Sequence, residues 1–377
     1  MNHFRLQALV RKFCSERVFP VAKISIAMAT YNGEPFIRKQ LESFTRQTLL
    51  PSELIVCDDG SADSTVSILS DFSRSAPFLV KVVNNPTRLG YTANFLQAAR
   101  MCQGDLIALS DQDDEWLPLK LERILQASRE SDALLFAHAV EWIDKNGNPL
   151  GVVYPTDRRY RKYIRKNEFH GHSMVIRRSL LEMTSRSLTP SNYQEVAGEV
   201  EIYHDVLLLE IAAAMNKLLF IPDVLVRWRV YSEIRHAWTM RAWTKELRPA
   251  PRARVSFADW MFPPDLAQRC AEGASYFRRR SALMACILRD LATCGRDGAV
   301  ASARLTQSMN LMTKQADVMD LRARFYGPLT RKARIKLMLE GAAMGQYRSR
   351  KKGGVRIYNV PRDIVACLLH QNEKPSA

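Results

Sequence analysis

The 377-residue chain has no run of about 18 uncharged apolar residues, the length a helix needs to cross a bilayer, so no membrane span is expected. Its first 22 residues lack both the apolar core and the small-residue cleavage site of a secretory signal, and the sequence predicts no export. Paired cysteines are missing as well. Cys14, Cys57, Cys102, Cys270, Cys286, Cys294 and Cys367 are an odd number scattered without a C-x-x-C. That argues against a disulfide framework or structural zinc and for reduced thiols in the cytoplasm. The seven histidines include no H-E-x-x-H, against a zinc hydrolase, and no internal repeat is visible.

What the chain does have is core-forming material. With 47% hydrophobic and 25% charged residues it cannot be disordered throughout, and its length predicts one large domain with an extension, or two domains. Its charge is unevenly spread. Residues 1–240 carry 29 Lys and Arg against 28 Asp and Glu, while 241–377 carry 26 against 11, so nearly all of the formal +16 belongs to the last third.

From Lys23 onward, short β-rich apolar runs alternate with segments of helical period. Ile24 to Met28, Leu54 to Cys57, Leu79 to Val83 and Leu106 to Leu109 read as buried strands. Between them, Ile37, Leu41 and Phe44 recur at helical spacing, and 63–73 and 92–102 read as helices. This order predicts an α/β fold with a mostly parallel sheet flanked by helices. A second strand-rich part follows, with Ala133 to Ile143, a turn at 144–147 and Met174 to Ile176. His204 to Met215 then reads as an apolar helix and Leu218 to Val230 as one or two strands. Beyond about 241 the pattern is Arg-rich and helical.

Ligands of such sheets bind beyond the carboxyl ends of the strands, and those ends are polar here. Tyr31-Asn32-Gly33 follows the first, Asp58-Asp59-Gly60-Ser61 the second and Asp111-Gln112-Asp113-Asp114 the fourth. Carboxylates crowded after a strand raise one another's pKa unless a cation or donor compensates, and their hard oxygens suit Mg²⁺ or Mn²⁺ bridging to phosphate. The plainer reading is an acidic loop facing the N-terminus of the helix that starts near Pro118. Asp58-Asp59-Gly60 has a similar double reading, either an ordinary turn or a carboxylate for a base or ribose.

Taken together, KISIAMATYNGEPFIRKQLESFTRQTLLPSELIVCDDGSADST, NNPTRLGYTANF and GDLIALSDQDDEW resemble the family 2 glycosyltransferases, whose domains have the GT-A fold. SDQDDEW, GHSMVIRR at 171–178 and HDVLLLEIAAA at 204–214 are most similar to the bacterial rhamnosyltransferase-like branch. The resemblance covers about 23–234. It implies a lead segment at 1–22, a catalytic domain at 23–240 and a basic helical extension at 241–377. Tyr31 and Asp59 match positions that contact the nucleotide base, with Glu34 and Asp58 nearby. Asp111 and Asp113 match the D-x-D pair, Asp113 as the better metal ligand and Asp111 as the better ribose or sugar contact. Asp205 matches the general base, although an Asp at a helix start is otherwise an N-cap. Trp116 is expected in the core. His204 either biases Asp205 or fills space, and His172 stands where a small residue is expected.

The implied reaction is inverting transfer of a sugar from a dTDP-, UDP- or GDP-sugar, dTDP-rhamnose among them, to a glycan or lipid-linked acceptor in surface polysaccharide synthesis. A divalent ion would stabilise the departing diphosphate. Two departures qualify the match. Tyr231 stands where relatives carry a His, leaving His236 as a substitute, and Ala93 replaces a common basic residue, leaving Arg88 as the candidate cation. Two other readings compete: a non-catalytic nucleotide- or glycan-binding protein on the same fold, and a nucleic-acid binder. The latter rests on the basic last third alone and lacks any recognisable motif. The basic clusters Arg278-Arg279-Arg280, 331–336 and 348–352 lead instead to the expectation that the extension rests on the anionic inner face of the cell membrane, against the alternative that its helices pack back on the catalytic domain. Oligomeric state is not legible.

Overall fold

The computed structural model describes residues 22–155, 169–230 and 266–326, together with 336–337 and 339–340. The first part alternates as expected: β1 (Ile24–Thr30), α1 (Ile37–Thr45), β2 (Glu53–Asp58), α2 (Thr65–Ser75), β3 (Leu79–Asn84), α3 (Tyr91–Met101) and β4 (Leu106–Ser110). After the acidic loop come β5 (Glu115–Trp116), α4 (Lys120–Glu130), β6 (Leu135–Ile143), β7 (Pro149–Tyr154), a short 3₁₀ turn (Gly171–Ser173) and β8 (Met174–Arg177). Then follow α5 (Arg178–Met183), α6 (Pro190–Ala197), α7 (His204–Ala214), β9 (Leu218–Arg229) and two long helices, α8 (Leu266–Leu291) and α9 (Gly295–Tyr326).

The strands form one sheet in the order β3-β2-β1-β4-β8-β6-β9-β5, with β7 paired to β6. The four strands β3, β2, β1 and β4 are parallel throughout, as the crossover helices require. Beyond β4 the sheet is mixed: β8 runs antiparallel to both β4 and β6, and β9 is parallel to β6. Expected parallel character therefore holds for the first half and gives way in the second. One reading is corrected: β3 is an edge strand rather than a buried one, with Leu79 63% exposed, because among the described residues no strand pairs with its outer side.

Period-two alternation splits the core between the two faces of the sheet. Ile24, Ile26 and Met28 of β1 meet Ile37, Leu41 and Phe44 of α1 on one face. Ala27 of β1 and Ile107 and Leu109 of β4 meet α3 and α7 on the other. Helix α7, HDVLLLEIAAA, is apolar nearly all round, a pattern stable only when every side is covered. The sheet covers one side. The α8–α9 hairpin covers the other, placing Leu283, Met284, Ile287, Leu291 and Leu305 in the same buried cluster as Leu207, Leu208 and Ile211.

This hairpin changes the expectation for the basic extension. Arg278 pairs with Asp320 inside the hairpin, Arg279 Nη1 donates to Val196 O at 3.1 Å, and Arg280 Nη2 lies 2.5 Å from Glu210 Oε1 of α7. Each arginine of that triplet therefore has a partner within the protein. The clusters at 331–335 and 348–352 lie outside the described residues. Among the described residues no helix is long and apolar enough to cross a membrane.

Candidate active site

The ends of β1 and β2 are built from side chains that bond to backbone. Asp58 is fully buried. Its Oδ1 accepts from Gly60 N at 3.1 Å and Ser61 N at 2.8 Å, and its Oδ2 from Thr30 Oγ1 at 2.8 Å and Ser61 Oγ at 2.6 Å. Those donors occupy both carboxylate oxygens, and through them Asp58 shapes the turn. Asp59 accepts from Asn85 Nδ2 (3.0 Å), Leu89 N (2.6 Å) and Gly90 N (2.8 Å), which fixes the 85–90 loop. Glu34 Oε2 accepts from Ser64 N at 3.1 Å, beside the start of α2. Tyr31 remains exposed, and the Arg88 guanidinium lies 3.9 Å from its ring centroid and 3.9 Å from Asp59 Oδ2.

The acidic loop after β4 is held by two devices. Gln112 bonds both polar atoms of the Tyr31 backbone, accepting from its N at 2.9 Å and donating to its O at 3.0 Å. This requires Gly33, since a Cβ there would fall 2.4 Å from Gln112 Oε1. Arg229 is fully buried at the end of β9. Its Nε donates to Asp113 O (2.8 Å), its Nη1 to Asp144 O and Lys145 O (3.0 Å each), and its Nη2 to Glu115 Oε1 (2.6 Å). Its backbone N donates to Asp114 Oδ1 at 3.0 Å.

Held this way, Asp114 turns inward toward His172. Asp111 Oδ2 is 3.3 Å and Asp114 Oδ2 3.6 Å from His172 Nδ1, and one ligand atom from each of the three lies within 4.8 Å of the others. Asp114 Oδ2 and His172 Nε2 are buried without a hydrogen-bond partner. Burial, then repulsion from Asp113 and Asp111, pushes the Asp114 carboxyl well above the usual range. For Asp111 burial works in the same direction, but the His172 hydrogen bond and the field of His172 and His204 hold it below the ordinary value. Two carboxylates and an imidazole, with an orphaned carboxylate oxygen, fit a divalent cation such as Mn²⁺ or Mg²⁺. The sequence reading favoured Asp113 beside Asp111. The geometry gathers Asp114 and His172 instead, because the Arg229 N–H draws Asp114 into the interior while Asp113 stays half-exposed.

Beneath this trio lies Lys120, also fully buried. Its Nζ donates to His172 O at 2.9 Å and sits 3.6 Å from the Trp116 ring centroid. Burial holds its pKa well below the usual lysine range, against the pull of Asp114 and Asp111. Trp116 packs edge-on against Phe44 at 4.7 Å, in the core as expected.

Asp205 stands in the first turn of α7, whose N-cap is Tyr203, so it is not the capping residue. Its Oδ1 accepts from Val206 N at 2.7 Å and its Oδ2 from Gly171 N at 3.1 Å. Burial first, and the negative field of Asp111 as well, raise its pKa to about 7. His204 stacks on Phe95 at 4.3 Å and is kept neutral near neutral pH, its pKa lowered to about 4 by burial. Gly171 is required there, as a Cβ would lie 2.8 Å from His204 Nε2. Tyr91 OH donates to Asp111 Oδ1 at 3.1 Å, linking α3 to the acidic loop.

Sequence reasoning placed Tyr31, Arg88, Asp111 and Asp205 at one edge, and the structure brings them there. It assigned no role to Lys120, Gln112 or Tyr91. Lys120 did carry a signal: it falls four residues after Trp116 at a helix start, one turn from the acidic cluster. Tyr231 and His236 lie outside the described residues.

Residues 25–184 match the family described as Glycosyl transferase family 2. This part of the chain belongs to glycosyltransferase family 2. An uncharacterized protein of Mycobacterium tuberculosis is 26% identical to this chain over 234 residues, covering 58% of it and 64% of the relative. The UDP-Glc:alpha-D-GlcNAc-diphosphoundecaprenol beta-1,3-glucosyltransferase WfgD of Escherichia coli is 30% identical over 158 residues, covering 42% of the chain and 61% of that enzyme. The match thus spans less than two thirds of either relative. Among solved structures, Staphylococcus aureus TarS in complex with UDP superposes with a TM-score of 0.48 at 16% identity, covering 78% of this chain and 91% of that one.

Proposed function

We propose that the protein is an inverting glycosyltransferase that moves a sugar from a nucleotide-sugar donor to a hydroxyl of a glycan or lipid-linked acceptor. The observation that carries this reading is Asp205. It is a buried carboxylate raised to about 7, beside an acidic loop and held by the N–H groups of Val206 and of Gly171 in the 3₁₀ turn before β8. A base with its pKa near the working pH combines availability with proton-transfer driving force. In the ionised form Asp205 takes the proton from the acceptor hydroxyl as that oxygen attacks the anomeric carbon on the face opposite the leaving diphosphate.

Tyr31 and Arg88 supply an exposed ring and a cation for the base end of the donor, and Asp59 orders the loop that carries Arg88. A divalent cation held by Asp111, Asp114 and His172, with Asp113 at the rim, would supply Lewis-acid stabilisation of the leaving phosphates. The lipid-diphosphate acceptor in the name of the Escherichia coli relative supports including such acceptors in the test.

The experiment is diphosphate release by the purified chain with dTDP-rhamnose, UDP-glucose, UDP-N-acetylglucosamine and GDP-mannose, with and without Mn²⁺, followed by product anomer analysis by NMR. Turnover with inversion is expected for at least one donor. Retention of configuration, or nucleotide binding with no turnover against any acceptor class, would overturn the reading.

A further inference from the structure

The α8–α9 hairpin lies beyond the family match, yet it grips the helix that carries Asp205. We infer that the hairpin is a positioning element for the base: it clamps α7 from its far side through Arg280 and Arg304. This rests on the reading of Asp205 as base.

Glu210 is five residues after Asp205, about 7 Å along the helix and about 140° around it, so it faces away from the site. Arg280 of α8 meets it there at 2.5 Å, with 7% and 19% of the two side chains exposed. A surface pair this short would hold little, but this one is largely removed from water, and Glu210 Oε2 and Arg280 Nε have no other partner. Arg304 of α9 donates from Nη1 to Ala214 O at 2.9 Å, a cation at the negative end of the same helix.

At the other end, His204 N donates to Thr92 Oγ1 at 3.2 Å and Asp205 Oδ2 accepts from Gly171 N. A single-helix rod is therefore fixed at its C-terminus by α9, at mid-length by α8 and at its N-terminus by the site itself. A third tie keeps the hairpin in register: Asp290 Oδ2 accepts from Arg186 N, Ser187 N and Ser187 Oγ. Without the two arginine contacts, the middle and C-terminal turns of α7 rest on apolar packing, which is non-directional and lets the helix tilt about its N-terminal ties.

Amide hydrogen exchange on the full chain tests this without a substrate. In Arg280→Met, exchange at Gly171, Val206 and Leu207 is expected to rise roughly 10-fold or more, as expected for local opening at these sites, while the strands β1 to β4 stay protected. Arg280→Lys should restore most of the protection. With the best donor of the panel, kcat should fall about 10-fold and donor KM stay constant, since small misplacement of a catalytic group lowers rate steeply. If Arg280→Met does not fold, Arg304→Met, which removes only the bond to Ala214 O, carries the same measurements. A folded variant with wild-type exchange at Gly171 and Val206 overturns the inference. Asp205→Asn with wild-type turnover would instead overturn the base reading, and the exchange data would still decide whether the clamp exists.

Discussion

Two sets of carboxylates sit at one edge of the sheet: Asp58 and Asp59 at the end of β2, and Asp114 after β4 with Asp205 at the start of α7. Asp58 and Asp59, at the end of β2, accept seven hydrogen bonds between them, all from the protein. In the second set donors are fewer: Asp114 is buried with one oxygen unpartnered, and Asp205 accepts only one N–H on each oxygen and is buried with a pKa raised to about 7. Residue type is shared, so it does not explain the difference. Saturation does. A carboxylate whose lone pairs are filled is a structural part, whereas one buried with too few donors is unstable in the ionised form and awaits a proton or a cation.

The largest effect that separates the two sets is at Asp205. Asp205→Asn should lower kcat by roughly 10²-fold or more, the usual size of a general-base contribution, with nucleotide affinity retained. Stability should move the other way. The folded pKa lies above the unfolded value near 4, so as pH rises from 4 through about 7 the folded state is progressively penalised for ionising this group. Asn removes that penalty. The variant should melt higher than the parent at pH 8, and by less at pH 5; a variant that melts lower at pH 8 would show that Asp205 is structural, like Asp58.

Lys120 comes next. Its buried amine acts electrostatically on the under-satisfied carboxylates, and Lys120→Met leaves Asp114 and Asp111 without that interaction. Breaking such an arrangement costs about 3–5 kcal/mol when one partner goes, so a fall of several degrees in Tm is expected in EDTA. Mn²⁺ should recover more of that loss in the variant than it adds to the parent, because an ion at Asp111, Asp114 and His172 replaces the missing charge. Equal Mn²⁺ shifts in both proteins would sever the link between Lys120 and the cluster.

How much of this could be read from sequence follows the same division. Local order was legible: β1 to β4 and α7 fall within a few residues of where period and turn residues put them. Strand ends were legible too, which is why Asp111 was found, while Asp205, at a helix start, came from the family resemblance. Saturation was not. Whether Asp58 faces a ligand depends on Thr30 and Ser61, 28 and three residues away, and nothing in Asp-Asp-Gly-Ser says which carboxylate turns inward. Likewise Asp114 rather than Asp113 meets His172 because of a backbone N–H supplied by Arg229, 115 residues on. The hairpin's grip on α7 was also hidden, since its arginines read as net charge until Glu210 and Ala214 are placed beside them.

Asp58→Asn gives the intermediate effect, with the opposite sign to Asp205→Asn. It replaces charge-assisted acceptor bonds in a buried turn and leaves an amide NH₂ facing donors. The expected loss is about 1–3 kcal/mol, seen as a lower urea midpoint with an unchanged m-value. A stable Asp58→Asn that binds nucleotide tenfold more weakly would mean that this carboxylate does meet a ligand, and the contrast between the two sets would fail.

The smallest effect belongs to Arg88, whose guanidinium sits over Tyr31 while 64% of its side chain is exposed. An exposed cation–π contact contributes about 0.5–1 kcal/mol, so Arg88→Ala should leave Tm nearly unchanged. Nucleoside diphosphate affinity should fall by about two- to fivefold at low salt, and the gap should narrow as salt screens the charge. Arg88→Lys is expected to recover the charge without the planar stacking, and so to restore the salt-dependent part alone. Isothermal titration with UDP, dTDP and GDP at two ionic strengths separates these. A loss nearer 100-fold would give Arg88 a direct phosphate contact, and the β2 side of the edge would then bind its ligand through a cation while its carboxylates serve only to hold that cation's loop.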